Sequence, residues 1–240
     1  MVYHTIFSFH SDTFALDEDN LGGSLLKLKE VTKVFDKNVL ALDKISFQMG
    51  KGEFFFLVGP NQAGKTTFLR LIASEERPTK GEIVFDEFNS QKIKKKQIAL
   101  LRRKIGRIFQ DFKLINDMNV FDNVALSLRI LSKKEKKIKD KVHQVLELVG
   151  LSEKVRFFPP HLSSAEKQKV AIARAISNDP LLLLADEPTL NLDKESTDEI
   201  LELLKQINLF GTAVLIATHD FRLCDGNQTK IIRIEKGRLI

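Results

Sequence analysis

Residues 59–66 read Gly59-Pro60-Asn61-Gln62-Ala63-Gly64-Lys65-Thr66, the spacing G-x-x-x-x-G-K-[ST] between an apolar run and a helical pattern. Such a loop turns successive backbone N–H groups toward one point at a helix N-terminus, where phosphate oxygens find donors and a favourable dipole. Lys65 is then placed to neutralise the β- and γ-phosphates of a nucleoside triphosphate. The Thr66 hydroxyl is placed to ligate Mg²⁺, with Thr67 beside it in the helix. The competing reading is a glycine turn with a surface lysine. A second motif weighs against it: Leu181-Leu182-Leu183-Leu184-Ala185-Asp186-Glu187 is an apolar strand ending in two carboxylates. A buried strand delivers Asp186 beside the magnesium and leaves Glu187 to polarise an attacking water. Either motif alone has a bland explanation. Together they point to ATP with magnesium.

The elements that must position these residues are legible from periodicity. Leu25, Leu26, Leu28 and Val31 suggest a strand, 45–48 another, and 54–58 a buried strand entering the glycine loop, with a helix over 66–74. Short strands are predicted at 83–85 and 105–109. From about residue 111 to 162 the character turns helical. Ser132 with Glu135 reads as a capping box, and Ile138, Val142, Val145 and Val149 repeat at helical spacing until Pro159-Pro160 interrupts. Strands return at 181–185, 213–217 and 231–234. Strands alternating with helices give an α/β fold around a largely parallel sheet. Residues 1–24 have no sustained period and end in Gly22-Gly23-Ser24, so they are read as a flexible extension ahead of one domain over 25–240, with a helical insert at about 111–165.

Composition bounds the class. At 240 residues and 43% hydrophobic, the chain can build a full core, so global disorder is excluded. No stretch reaches the roughly 18–20 apolar residues of a membrane-spanning helix. The N-terminus carries Asp12, Asp17, Glu18 and Asp19 and lacks a basic start, so it does not read as a secretory signal. One cysteine, Cys224, excludes an internal disulfide and fits a reducing cytoplasm; nothing near it looks like an activating base for a catalytic thiol. The net charge of +6 comes largely from runs at 92–104 and 133–141, read as solvated helix faces. The second run has no interleaved aromatics, which argues against nucleic acid.

Read in order, the two motifs and Leu162-Ser163-Ser164-Ala165-Glu166-Lys167-Gln168 resemble the nucleotide-binding subunits of ABC transporters, over about residues 25–240. The resemblance implies a P-loop ATPase with a RecA-like core sheet, an N-terminal antiparallel β subdomain and a helical subdomain. It further implies that Phe35 stacks on adenine and that Gln110 touches Mg²⁺ and senses the γ-phosphate. Asn191-Leu192-Asp193 would cross a dimer interface, and His219 would contact the γ-phosphate. In the family two subunits close head-to-tail, each ATP lying between one glycine loop and the partner's signature segment, here Ser163, Ser164, Ala165 and Glu166.

This signature departs from the family's Leu-Ser-Gly-Gly-Glu-Gln-Gln: Ser164 and Ala165 replace the two glycines. The Cβ of Ala165 restricts the backbone and crowds the phosphate, so the expectation is retained ATP binding with weakened closure and hydrolysis. Ser163 with Glu166 also forms a capping box, whose bland meaning is a well-capped helix. Gln62 and Leu190 replace common glycines without removing a ligand. The stretch 102–125, with Asp111-Phe112 directly after Gln110, is similar to the FtsE branch. That branch implies an FtsX-like integral membrane partner, control of cell-wall hydrolysis in division, and a peripheral place on the cytoplasmic face of the plasma membrane. Subunits of lipoprotein-release or macrolide-export systems are the alternative within the family. A weakly hydrolysing ATP-dependent regulator and a soluble ABC ATPase without a membrane partner are alternatives of a different function class.

Overall fold

The computed structural model describes residues 24–131, 134–224 and 230–240. Residues 1–23 of the expected extension, and Ser132 of the expected capping box, lie outside them. Ser24, grouped with the extension by its sequence, opens a strand opposite Gly50.

Two sheets are built among the described residues. An antiparallel sheet has the order β2-β1-β4-β5, from β1 (Ser24–Phe35), β2 (Val39–Gly50), β4 (Lys80–Phe85) and β5 (Phe88–Asn89). The core sheet has the order β10-β9-β3-β8-β7-β6, from β3 (Phe54–Val58), β6 (Ile105–Ile108), β7 (Leu182–Asp186), β8 (Ala213–Thr218), β9 (Lys230–Glu235) and β10 (Arg238–Leu239). Its strands pair in parallel except at the β9–β10 edge. Such strands are covered on both faces and read as continuous apolar runs. In β3 every residue is buried, and the faces alternate. Phe54, Phe56 and Val58 enter the cluster shared with the helical insert, while Phe55 and Leu57 enter the cluster under the antiparallel sheet. Burial of each phenylalanine contributes about 1.5–3 kcal/mol.

Six α-helices complete the described chain: α1 (Lys65–Ile72), α2 (Lys95–Arg103), α3 (Val120–Ile130), α4 (Glu135–Leu148), α5 (Ser164–Ile176) and α6 (Lys194–Leu209). The two lysine runs fall on α2 and α4, and α4 buries Ile138, Val142, Val145 and Leu146. The capping box expected there is corrected. Helix α4 starts at Glu135 with Lys134 as its N-cap, so Glu135 occupies the first helical position rather than the third. Its carboxylate instead lies 3.3 Å from Arg129 Nε of α3.

Candidate functional site

The glycine loop is set by close approach of three segments. Gly59 follows β3, and its N–H donates to Thr218 O at the end of β8, 3.2 Å away. A Cβ on Gly59 would lie 2.1 Å from Ile234 O of β9. Gly64 has φ +108 and lies against Ala41 O of β2, where a Cβ would fall at 2.7 Å. Ala63 donates to Pro60 O and accepts from the Gly237 N–H, pinning the loop's middle. Gln62 is held at φ 66, a region glycine fits more easily. Helix α1 opens with no side-chain cap and no acidic residue in its first turn. The N–H groups of that turn are therefore left for an anion.

Lys65 is buried and bound within the site. Its Nζ donates to Gly59 O at 2.7 Å and Pro60 O at 3.0 Å, and stands 3.4 Å from Glu187 Oε1. The other oxygen, Glu187 Oε2, accepts from the His219 N–H at 3.2 Å and lies 3.0 Å from His219 Nδ1. Glu187 sits at φ 47, a costly backbone for a glutamate, fixed where its N–H donates to Ala217 O. Lys65, Glu187 and His219 thus form one connected cluster at the ends of β7 and β8. They line a cavity of about 600 Å³ together with Asn61, Gln62, Gly64, Thr66, Thr67 and Gln110. That volume suits a small-molecule ligand.

A second cavity of about 790 Å³ adjoins the first, sharing Thr66, Gln110 and Leu190 and adding Asp186, Arg107, Asn191 and Ser164. Gln110 lies just past β6, facing both. Burial pushes the Asp186 carboxyl above its ordinary value, opposed by a hydrogen bond from Thr66 and by the Arg107 charge. Asp186 Oδ1 is buried without a hydrogen-bond partner. An orphaned carboxylate oxygen beside a hydroxyl is a donor set of the kind Mg²⁺ accepts. Among the described residues no group of three or more His, Cys, Asp or Glu is arranged to hold a metal. A magnesium ion here would be completed by phosphate oxygens and water, as is usual for that ion.

Of the remaining expected residues, Ser164 lines the larger cavity, and Ser163, Ala165, Glu166, Asp193 and Phe35 line neither. Ser163 caps α5: its hydroxyl accepts from the Glu166 N–H at 3.1 Å, and Glu166 Oε2 accepts from the Ser163 N–H at 2.9 Å. The Ser163 hydrogen bond, with Lys154, holds the Glu166 carboxyl below its usual range against burial. Replacing Ser163 by alanine should lower stability by about 1 kcal/mol in urea unfolding; an unchanged midpoint would contradict this role. Ser164 is exposed and Ala165 half-buried at the start of the same helix. Near its other end, Arg174 donates to the carbonyls of Phe112 and Lys113, both left-handed residues of the turn after Gln110. Asp193 caps α6 by accepting from the Ser196 N–H at 2.8 Å, and does not line either cavity. Nor does Phe35, whose half-buried ring carries Lys33 Nζ 4.7 Å above it. Its hairpin neighbour Val39 lines the smaller cavity instead, with Leu40 and Ala41. Sequence spacing gave no sign of those three, nor of Arg107.

Comparison with known proteins identifies the family and the fold. The family model described as ABC transporter matches residues 42–190. The cell division ATP-binding protein FtsE of Streptococcus pneumoniae is 44% identical over 217 residues, covering 90% of this chain and 94% of that protein. FtsE of Bacillus subtilis is 44% identical over 216 residues, covering 90% and 95%. Among solved structures, the ATP-binding cassette MJ0796, a dimer in a post-hydrolysis state with ADP and Pi, superposes with a TM-score of 0.81. It is 32% identical and covers 89% of this chain and 96% of its own. A P-loop between a parallel core sheet and α1, joined to an antiparallel sheet and a helical layer, is the fold shared with those cassettes. The chain belongs to the ABC transporter family and is an FtsE-like, ATP-hydrolysing ATP-binding subunit.

Proposed function

We propose that the chain binds Mg–ATP on residues 59–67 and hydrolyses it in a head-to-tail homodimer. The dimer would sit on the cytoplasmic face of the plasma membrane and drive an FtsX-like integral membrane protein in cell division and the control of cell-wall hydrolysis. The observation that carries the catalytic part is the convergence of Lys65, Glu187, His219 and Thr66 on one cavity, with Asp186 on the wall of the adjoining cavity that shares Thr66. Among the described residues no helix is long and apolar enough to cross a membrane, so the reading relies on a partner for anchorage. It assigns no nucleic-acid partner. Residues 24–240 form the ATPase domain, with the residues before them as an extension and about 111–165 as the lobe that meets the membrane protein.

In this reading the loop N–H groups and Lys65 hold the phosphates, Lys65 leaving the carbonyls of Gly59 and Pro60 for phosphate oxygens. When bound, magnesium neutralises phosphate charge; Thr66, Asp186 and Gln110 are the side chains placed to hold it. Release of Lys65 frees Glu187 Oε1 to take a proton from the attacking water. His219 keeps Oε2 oriented and reaches toward the γ-phosphate. Ser163, Ser164, Ala165 and Glu166 of the second copy close the site, with Asn191 and Asp193 in the loop along the interface, and Phe35, paired with Val39 of the cavity wall, is the aromatic assigned to adenine. Co-purification from solubilised membranes with an FtsX-type protein, and stimulation of turnover by it, tests the reading. A tightly bound drug-export permease in its place would refute the partner assignment.

A second reading, a weakly hydrolysing ATP-dependent regulator, is favoured by Ser164 and Ala165. Replacing both by glycine is expected to raise ATP turnover while lowering stability by at most about 1 kcal/mol in total, since both sit in the first turn of α5. Unchanged turnover would show that these side chains do not limit closure.

A further inference from the structure

Three of the four buried side-chain polar atoms without a hydrogen-bond partner among the described residues are Arg107 Nε, Arg107 Nη1 and Asp186 Oδ1. They share one cavity wall, so their grouping calls for one explanation. Arg107 pairs with Leu184 across β6 and β7, and Asp186 lies two residues beyond Leu184. Residues two apart on a strand project from the same face, so both side chains face α1 and the phosphate loop. Arg107 is held in place. Its Nε stands 3.4 Å from Glu75 Oε1, and its guanidinium lies over the Phe109 ring at 5.1 Å. Its charge reaches Asp186 across the cavity.

We propose that Arg107 is a positioning residue that sets how strongly nucleotide binding depends on magnesium, by keeping a fixed positive charge beside Asp186. The proposal rests on the reading that Asp186 and Thr66 take Mg²⁺. Before metal arrives, the guanidinium partly balances the buried carboxylate and attracts the phosphates of metal-free ATP. It is held there by the ion pair with Glu75 and by the Phe109 ring. Magnesium therefore enters against a like charge in a poorly screened site. Glu75 has the opposite sign and eases that entry. The arrangement favours metal-free nucleotide more, and Mg–ATP less, than an apolar side chain at position 107 would.

The readout is the ratio of affinities for a fluorescent, non-hydrolysable ATP analogue in excess Mg²⁺ and in EDTA, measured by equilibrium titration of the full chain. Arg107→Met should raise that ratio about threefold or more, binding in EDTA weakening while binding in magnesium holds or tightens. Arg107→Lys, which keeps the charge, should stay near wild type. Glu75→Gln should lower the ratio. A merely structural role for Arg107 would weaken binding equally in both buffers, leaving the ratio unchanged, and that result overturns the proposal. If Arg107→Met fails to fold, an unchanged ratio in Glu75→Gln overturns it equally. A wild type indifferent to magnesium sinks the magnesium reading itself. A magnesium-dependent wild type with no change in Arg107→Met sinks only the role of Arg107.

Discussion

Glu187→Gln is expected to keep ATP bound and to lower turnover by about two orders of magnitude or more. Glutamine has the same shape, and its Oε1 can still accept the His219 N–H that now reaches Glu187 Oε2 at 3.2 Å. It cannot take a proton from water. It also removes the negative charge 3.4 Å from Lys65 Nζ, leaving only the Gly59 and Pro60 carbonyls to compete with phosphate for the lysine. Affinity for ATP should therefore hold or rise while hydrolysis falls, a split that unfolding of the site would not give. Equilibrium nucleotide binding and phosphate release, measured on the same preparation, check it. Turnover within a few-fold of wild type would remove Glu187 from the catalytic role.

Gly59→Ala should carry the largest stability effect of any small substitution in the phosphate loop. The added Cβ would lie 2.1 Å from Ile234 O and 3.0 Å from Ile234 Cγ2. The carbonyl belongs to β9, which is paired along β3, and the loop is tied to β8 through the Gly59 N–H. Relief requires separating β9 from the loop, so a loss of about 3 kcal/mol or more is expected, with a matching fall in ATP affinity. Gly150→Ala is the control. That glycine has φ +72 but nothing within 4 Å of its would-be Cβ, so only backbone strain of about 1 kcal/mol is expected. Urea midpoints of the two variants should differ clearly. Equal midpoints would mean that the contact with β9 yields easily.

The sequence made local features legible and hid what depends on approach between distant segments. The all-apolar run of β3 and the glycine spacing after it are dictated by residues adjacent in the chain, so strand, loop and helix were readable together. The start of α4 was not. Ser132 and Glu135 have capping-box spacing, but the helix begins at Glu135, whose carboxylate pairs with Arg129 on another helix. Val39, Leu40 and Ala41 reach the smaller cavity because β2 folds back until Ala41 O touches Gly64, a contact 23 residues apart with no periodic signature. Phe35, singled out for adenine, lines neither cavity, whereas Val39, paired with it across the turn, lines the smaller one. Arg107 escaped notice because a lone arginine inside a short predicted strand gives no sign of which side chains it faces. Only the pairing of β6 with β7 shows what it faces.

Helix α5 behaves as a lever. Its thirteen residues span about 20 Å, with the Ser163 cap at one end and, near the other, Arg174 gripping the carbonyls of Phe112 and Lys113. Rotating such a rod by about 5° around Arg174 carries the Ser163 end, about 16 Å away, by about 1.4 Å, enough to break a hydrogen bond. A push on the turn after Gln110 would therefore be felt, magnified, at Ser164 and Ala165. The two substituted signature residues stand at the end of the arm with the greatest travel.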